Sequence, residues 1–165
     1  MTDRNLTFRT QSPEETREVG RKLAPLLRPD DVLALCGTLG AGKTCLVKGI
    51  ARGLGVEDER EVSSASFLLL KQHEGRLQLN HFDAYRLNDE TDMDAIGCDE
   101  IFHSGGVSVI EWADKVAGCL PPEHFTIEIK VKGETTREFR VTASGEESEN
   151  RLPDIASALE QQTAC

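Results

Sequence analysis

One segment in the first third of the chain constrains the fold more than any other. The apolar residues 32–36 are followed directly by Gly37-Thr-Leu-Gly-Ala-Gly-Lys-Thr44. A short apolar run that ends in glycine is typical of a buried strand, and the apolar residues after Thr44 recur at helical spacing. The segment therefore predicts a strand, a glycine-rich loop and the start of a helix.

Residues 37–44 match G-x-x-x-x-G-K-[ST] at every fixed position, which is the signature of a loop that binds nucleotide triphosphates. Glycine lets backbone amides approach an anion closely, and the positive end of the following helix points at the same phosphates. Lys43 is predicted to hold the β- and γ-phosphates, and the Thr44 hydroxyl is predicted to bind Mg²⁺. The predicted nucleotide-binding residues of the loop are Leu39, Gly40, Ala41, Gly42, Lys43, Thr44 and Cys45.

Two carboxylates stand at the ends of predicted strands, where α/β sheets place their ligand crevice. Glu111 follows the apolar-patterned residues 107–110, and Asp83 ends the strand predicted within residues 77–83. A loop that holds a triphosphate needs a further group for Mg²⁺ and one that positions the attacking oxygen. Asp83 and Glu111 are the candidates for both tasks, and the alternatives are a loop-capping aspartate and a surface glutamate.

Small polar side chains precede the apolar residues 67–70. Ser64 and Ser66 could offer a hydroxyl to a phosphate or to Mg²⁺, as the mobile loop of a nucleotide switch does. His81 shares a strand face with Asp83, because strand side chains alternate with a period of two. A histidine in such a position is more often a hydrogen-bonded core residue than a base, and His81 is interpreted in that way.

The identity of the nucleotide is narrowed by what the sequence lacks. It has no Asn-Lys-x-Asp segment, which would select guanine, so ATP is the expected nucleotide. Three activities stay open on the residues alone: hydrolysis of ATP, transfer of its phosphoryl group to a small molecule, and non-catalytic binding that depends on nucleotide. The first two are enzymatic and the third is not.

The rest of the chain completes an α/β prediction. Ser12-Pro13-Glu14-Glu15 predicts a capped helix that ends before Pro29, and a second helix is expected over residues 90–102. Alternating apolar residues predict an antiparallel hairpin over residues 125–143, followed by a polar linker over 144–150 and a last helix over 152–162. The predicted fold is a three-layer P-loop NTPase-like domain with a mixed parallel and antiparallel sheet, in a single domain over residues 1–165.

Composition limits the partners and the compartment. The chain carries 29 acidic and 19 basic residues, and its formal net charge of −10 opposes direct, stable binding to nucleic acid. The five cysteines form no CxxC pair, so reduced thiols are expected. No apolar run approaches the roughly 20 residues of a membrane span, and residues 1–5 lack the features of a signal peptide. We expect a cytoplasmic protein that does not bind membranes.

Four segments in this order and spacing resemble the bacterial TsaE (YjeE) family, a family of ATPases of tRNA threonylcarbamoyladenosine biosynthesis. They are Gly37-Thr-Leu-Gly-Ala-Gly-Lys-Thr44, Val62-Ser-Ser-Ala-Ser-Phe67, His81-Phe-Asp-Ala-Tyr-Arg86 and Val109-Ile-Glu-Trp112. The loop alone would indicate only a P-loop NTPase, whereas the last two segments make the resemblance specific. The chain departs from the family pattern at Thr38, Ala65 and Ser66.

The resemblance implies a small Mg²⁺-dependent ATPase that associates with the TsaD and TsaB proteins and meets tRNA only through them. It implies that Lys43 holds phosphates, that Thr44 and Glu111 serve Mg²⁺, and that Asp83 supports hydrolysis and is a further candidate metal ligand. Trp112 is then expected beside the nucleotide, and Ser12 near the adenine. Hydrolysis of ATP would support repeated turnover by TsaD and TsaB.

Overall fold

The structure is a computed structural model that describes residues 5–38, 40–57, 70–85, 87 and 90–160. Its strands are β1 Asn5–Thr10, β2 Val32–Gly37, β3 Leu70–His73, β4 Leu79–Asp83, β5 Val107–Glu111, β6 His124–Val131 and β7 Arg137–Ser144. Its α-helices are α1 Pro13–Leu23, α2 Lys43–Gly53, α3 Glu90–Ala95, α4 Cys98–Phe102 and α5 Glu146–Glu160. Two 3₁₀ segments cover Ala24–Leu26 and Ala113–Cys119.

All the described strands belong to one seven-stranded sheet in the order β1-β7-β6-β2-β5-β4-β3. The four central strands β6, β2, β5 and β4 all run parallel to one another. The outer strands β7, β1 and β3 pair in antiparallel fashion. The mixed sheet predicted from the sequence is thus confirmed, and the central parallel strands end at one common edge.

The sheet separates two apolar cores. Strand β2 contributes to both of them, because its side chains alternate between the two faces of the sheet. Leu33 and Leu35 belong to a core that also contains the buried residues of α1, α2 and α5. Val32 and Ala34 belong to a second core with the buried residues of α3, α4 and the 3₁₀ segment Ala113–Cys119. Helices therefore cover both faces, and the predicted three-layer architecture is confirmed.

Two helices differ in extent from the predicted ones, and in both cases the difference occurs at a glycine. The single helix expected over residues 90–102 is two helices, because Gly97 adopts a left-handed conformation with φ of 75° between them. Helix α5 begins at Glu146, inside the predicted linker. Gly145 turns the chain with φ of 92°, and the Glu123 carboxylate then accepts hydrogen bonds from the first amides of the helix. The Glu123 side chain, which is distant in sequence, thus caps the start of a helix that the local sequence does not predict.

The N-terminal region contains one strand that the sequence prediction missed. Strand β1 pairs with β7 over its full length, and Phe8 stacks on Phe139 with ring centroids 5.0 Å apart. The Ser12 cap of α1 is confirmed, since the Ser12 hydroxyl accepts a hydrogen bond from the Glu15 amide at 3.1 Å. Helix α1 ends at Leu23 and continues as the 3₁₀ segment Ala24–Leu26, earlier than predicted.

None of the helices in the described part of the chain combines the length and the apolar composition that a membrane span requires.

Helices α1 and α2 approach each other through glycines. A Cβ atom added to Gly49 would lie 2.0 Å from the Arg17 carbonyl oxygen, and one added to Gly20 would lie 2.5 Å from the Leu46 oxygen. Both neighbours are backbone atoms, which cannot move without shifting a whole helix. Because α2 begins at the end of the glycine-rich loop, this close approach also determines where the loop lies.

We expect Gly49→Ala to lower the free energy of unfolding by about 3 kcal/mol, because overpacking at a backbone contact outweighs the better helix propensity of alanine. Urea unfolding followed by circular dichroism measures the change. Gly133→Ala is the matched control, since its Cβ would lie 3.5 Å from the nearest atom, at ordinary contact distance. Equal stability of the two variants would contradict the proposed role of the close helix approach.

Candidate functional site

The glycine-rich loop joins the end of β2 to the start of α2 at the edge where the parallel strands end. Gly40 and Gly42 adopt left-handed conformations with φ of 79° and 105°, which disfavour a side chain. Gly42 is the N-cap of α2, and no side chain among the described residues caps the helix there. The first amides of α2 are therefore available for an anion. Leu39, the remaining predicted loop residue, lies outside the described residues.

A cavity of about 260 Å³ opens beside the loop. It brings together eight of the residues predicted from the sequence. They are Gly40, Ala41, Gly42, Lys43, Thr44, Cys45, Glu111 and Trp112. Ser64 and Ser66, the predicted switch residues, lie outside the described residues.

The Lys43 side chain is held against the loop. Its Nζ donates hydrogen bonds to the carbonyl oxygens of Gly37 at 2.6 Å and Thr38 at 2.9 Å, and it lies 3.8 Å from the centre of the Trp112 ring. Burial lowers the pKa of the Lys43 ammonium, while the Glu111 carboxylate acts in the opposite direction. An anion in the cavity would stabilise the charged ammonium that burial disfavours.

Glu111 is a buried carboxylate, 2% exposed, that accepts hydrogen bonds from two sides. The Thr44 hydroxyl donates to its Oε1 at 3.1 Å, and His81 Nε2 contacts its Oε2 at 2.5 Å. The histidine donates when its proton is on Nε2. These contacts join the start of α2, the end of β5 and the middle of β4 at a single carboxylate.

Asp83 lies next to Glu111 across the sheet. The two residues are direct partners in the parallel register of β4 and β5, and Asp83 is 8% exposed. Its Oδ1 accepts a hydrogen bond from the Tyr85 amide at 3.0 Å. Asp83 does not itself line the cavity. The Asp83 and Glu111 carboxylates and the Thr44 hydroxyl are hard oxygen donors of the kind that Mg²⁺ prefers, so the residues present fit that ion.

The contact between His81 and Glu111 was missed in the sequence prediction. His81 is 1% exposed and is a hydrogen-bonded core histidine, as interpreted, but its partner is a candidate site residue. Its Nδ1 has no hydrogen-bond partner among the described residues. The sequence indicated only that His81 and Asp83 share a strand face. Prediction of the contact with Glu111 would also have required knowing which strand lies next to β4.

Trp112 begins the turn out of β5 with a left-handed backbone, φ 61°. Its ring contacts both the Lys43 ammonium and the Tyr85 ring, whose centroid is 5.0 Å away. Tyr85 is 48% exposed, and its carbonyl oxygen accepts a hydrogen bond from Lys115 Nζ. Trp112 lines the cavity together with the loop, and its placement beside a nucleotide stays a prediction.

Ser12 is not among the residues that line the cavity. Its hydroxyl caps α1, and the start of α1 lies beside the loop, because a Cβ on Gly42 would lie 3.8 Å from Thr16 Cγ2. From the other side, Arg137 donates a hydrogen bond to the Gly40 carbonyl oxygen at 3.2 Å. The placement of Ser12 near an adenine therefore stays a prediction.

We expect His81→Leu to lower the free energy of unfolding by about 3 kcal/mol, because Glu111 would keep its buried charge and lose a donor. His103→Ala, at an exposed histidine, is the control. A double-mutant cycle of His81→Leu with Glu111→Gln, measured by urea unfolding, should give a coupling of about 2 kcal/mol. Strictly additive effects would contradict the assigned contact.

Comparison with known proteins agrees with this geometry. The model of the family "Threonylcarbamoyl adenosine biosynthesis protein TsaE" matches residues 10–139. A tRNA threonylcarbamoyladenosine biosynthesis protein TsaE of Bacillus subtilis (strain 168) is 43% identical over 154 residues, which are 93% of this chain and 95% of that protein. One of Treponema pallidum (strain Nichols) is 42% identical over 132 residues, which are 80% of this chain and 96% of that protein.

A solved structure gives the same result for the fold. The crystal structure of Bacillus subtilis YdiB superposes with a TM-score of 0.77 at 36% sequence identity and covers 99% of both chains. The family model covers most of this chain, and the two relatives cover four fifths of it or more. The resemblance read from the four sequence segments is thereby confirmed. The chain belongs to the TsaE family of threonylcarbamoyl adenosine biosynthesis proteins.

Proposed function

We propose that this protein is a Mg²⁺-dependent ATPase that acts in tRNA threonylcarbamoyladenosine biosynthesis together with TsaD and TsaB. The observation that carries the proposal is the convergence of Lys43, Thr44 and Glu111 on one cavity beside the first amides of α2. A helix N-terminus, a lysine and a hydroxyl paired with a carboxylate are the parts that P-loop enzymes use to bind a triphosphate with its metal.

The chain's own residues divide the work of binding. The loop amides donate hydrogen bonds to the phosphate oxygens. Lys43 exchanges its two carbonyl contacts for phosphate oxygens, which are stronger acceptors because they are charged. Thr44 and Glu111, with Asp83 beside them, are the residues that would hold Mg²⁺, which would neutralise charge on the phosphates when bound. His81 holds Glu111 in position from behind.

The reaction is hydrolysis. The oxygen of a water molecule attacks the γ-phosphorus, the bond to the bridging oxygen breaks, and ADP and inorganic phosphate leave, with the surplus proton passing to phosphate or solvent. Asp83 supports hydrolysis from its position next to Glu111, while Lys43 and the loop amides stabilise the charge that develops on the equatorial oxygens. Ser64 and Ser66, outside the described residues, stay the predicted elements that respond to loss of the γ-phosphate.

The partners follow from the family and from charge. The resemblance to TsaE proteins supports TsaD and TsaB as partners, and the net charge of −10 supports contact with tRNA through them instead of directly. The proposal places the protein in the cytoplasm, where ATP and tRNA are available. Co-purification with TsaD and TsaB, with and without ATP, tests both the partners and their dependence on nucleotide.

We expect Lys43→Ala to lower ATP turnover in the presence of TsaD and TsaB at least about 100-fold, because a preorganised positive charge at the phosphates is lost. Phosphate release measures the effect, and binding of a fluorescent ATP analogue separates affinity from turnover. Lys22→Ala, at the end of α1 away from the loop, is the control. Normal ATP turnover by Lys43→Ala would contradict the proposed ATPase activity.

Asp83→Asn and Glu111→Gln should each lower turnover about 10²-fold or more while the proteins stay folded, because the carboxylate charge is lost with little change of shape. Asp99→Asn, at an exposed carboxylate, is the control. Unchanged turnover in both site variants would favour a non-catalytic, nucleotide-dependent binding module. Phosphorylation of a small molecule in place of phosphate release would favour a kinase.

A further inference from the structure

A second cluster of metal-binding side chains lies on the opposite side of the sheet from α2. Asp94 of α3, Cys98 of α4 and Cys119 at the end of the 3₁₀ segment Ala113–Cys119 place their ligand atoms within 4.8 Å of one another. None of the three lines the cavity beside the glycine-rich loop. We propose that Asp94, Cys98 and Cys119 form a binding site for a thiophilic divalent cation of the zinc class.

The distances suit a tetrahedral ion. Asp94 Oδ1 lies 3.8 Å from the Cys98 sulfur and 3.9 Å from the Cys119 sulfur. With zinc bonds of about 2.3 Å to sulfur and about 2.0–2.2 Å to oxygen, tetrahedral sulfur and oxygen ligands lie about 3.5–3.7 Å apart. For both oxygen–sulfur pairs, contraction by a few tenths of an ångström would therefore reach the distances of a tetrahedral zinc site.

The donor set selects the metal. Two thiolates and one carboxylate suit zinc, whereas Mg²⁺ and Ca²⁺ prefer oxygen ligands throughout. Asp94 is exposed, so a water molecule can take the fourth position from the solvent side. On binding, the two S–H bonds are replaced by metal–sulfur bonds, and two protons leave to the solvent.

The three ligands lie at different depths below the surface. Cys98 is 2% exposed, whereas Asp94 is exposed. A cation would neutralise the negative charge that the carboxylate and two thiolates would otherwise accumulate at one point.

The site would join three elements of the second core. Helices α3 and α4 are only six and five residues long, and the left-handed Gly97 separates them. The 3₁₀ segment that ends at Cys119 begins next to Trp112, which contacts Lys43. A bound cation would thus stabilise the layer that supports the wall of the nucleotide cavity.

Titration of the reduced full-length protein with Co²⁺, in the presence of excess Mg²⁺, tests the site directly. We expect one Co²⁺ per chain with thiolate-to-cobalt charge-transfer absorption and tetrahedral d–d bands, both abolished by excess Zn²⁺. Mg²⁺ occupies oxygen sites without affecting thiolates, and cobalt bound at Glu111 or Asp83 would give no such charge transfer. Absence of thiolate absorption would overturn the proposal.

Single substitutions identify which residues bind the cation. Cys98→Ser and Cys119→Ser should each abolish the charge-transfer absorption, and Asp94→Asn should weaken Co²⁺ binding at least tenfold. Cys36→Ser is the matched control, because Cys36 packs against the same core and, like Cys119, is half-buried. Asp99→Asn is the control for a neighbouring carboxylate. Absorption that persists in Cys98→Ser, or disappears in Cys36→Ser, would contradict the assignment.

Because Cys98 belongs to the core, its variant could fail to fold, and a measurement on the unaltered protein is therefore decisive. X-ray absorption of the zinc-loaded protein should show two sulfur ligands at about 2.3 Å together with oxygen ligands at about 2.0–2.2 Å. A shell of nitrogen and oxygen only would overturn the proposal. So would a Cys98–Cys119 disulfide that forms readily in a protein whose reduced form binds neither Co²⁺ nor Zn²⁺.

Discussion

The parallel pairing of β2, β5 and β4 is the constraint on which the candidate nucleotide site depends. Parallel strands end at the same edge, so the glycine-rich loop after β2, Glu111 at the end of β5 and Asp83 at the end of β4 meet there. The residues come from three distant parts of the chain. A shift of β4 by one residue would turn both His81 and Asp83 to the opposite face of the sheet.

Glu111 shows how the sheet and the loop depend on each other. A carboxylate that is 2% exposed needs hydrogen-bond donors, and it finds one on α2 and another on β4. The same buried carboxylate lies near the Lys43 ammonium, whose pKa it raises against the effect of burial. The side chains of the site thus hold one another in position through charges and hydrogen bonds. Under the proposed function, a nucleotide and its metal would rearrange these contacts.

The two faces of the sheet are covered by elements that pack in different ways. On one face, α1 and α2 pack backbone to backbone through Gly20 and Gly49, which leaves the start of α2 little freedom to move. The other face is covered by shorter elements that meet at Asp94, Cys98 and Cys119. The glycine-rich loop and both strand-end carboxylates lie within the four segments that resemble the TsaE family, whereas the thiol cluster lies outside them.

The sequence by itself determined the features that depend on neighbouring residues. The glycine-rich loop, the strand before it, the helix after it, the Ser12 cap and the β6–β7 hairpin all follow from local conformational preferences and from apolar spacing. Four short segments sufficed to recognise the family. Tertiary structure decided which strands are neighbours, and therefore that His81 contacts Glu111, that β1 pairs with β7 and that Glu123 begins α5. The physical reason is that a period of two tells which face a side chain occupies but not which strand or helix lies next to it.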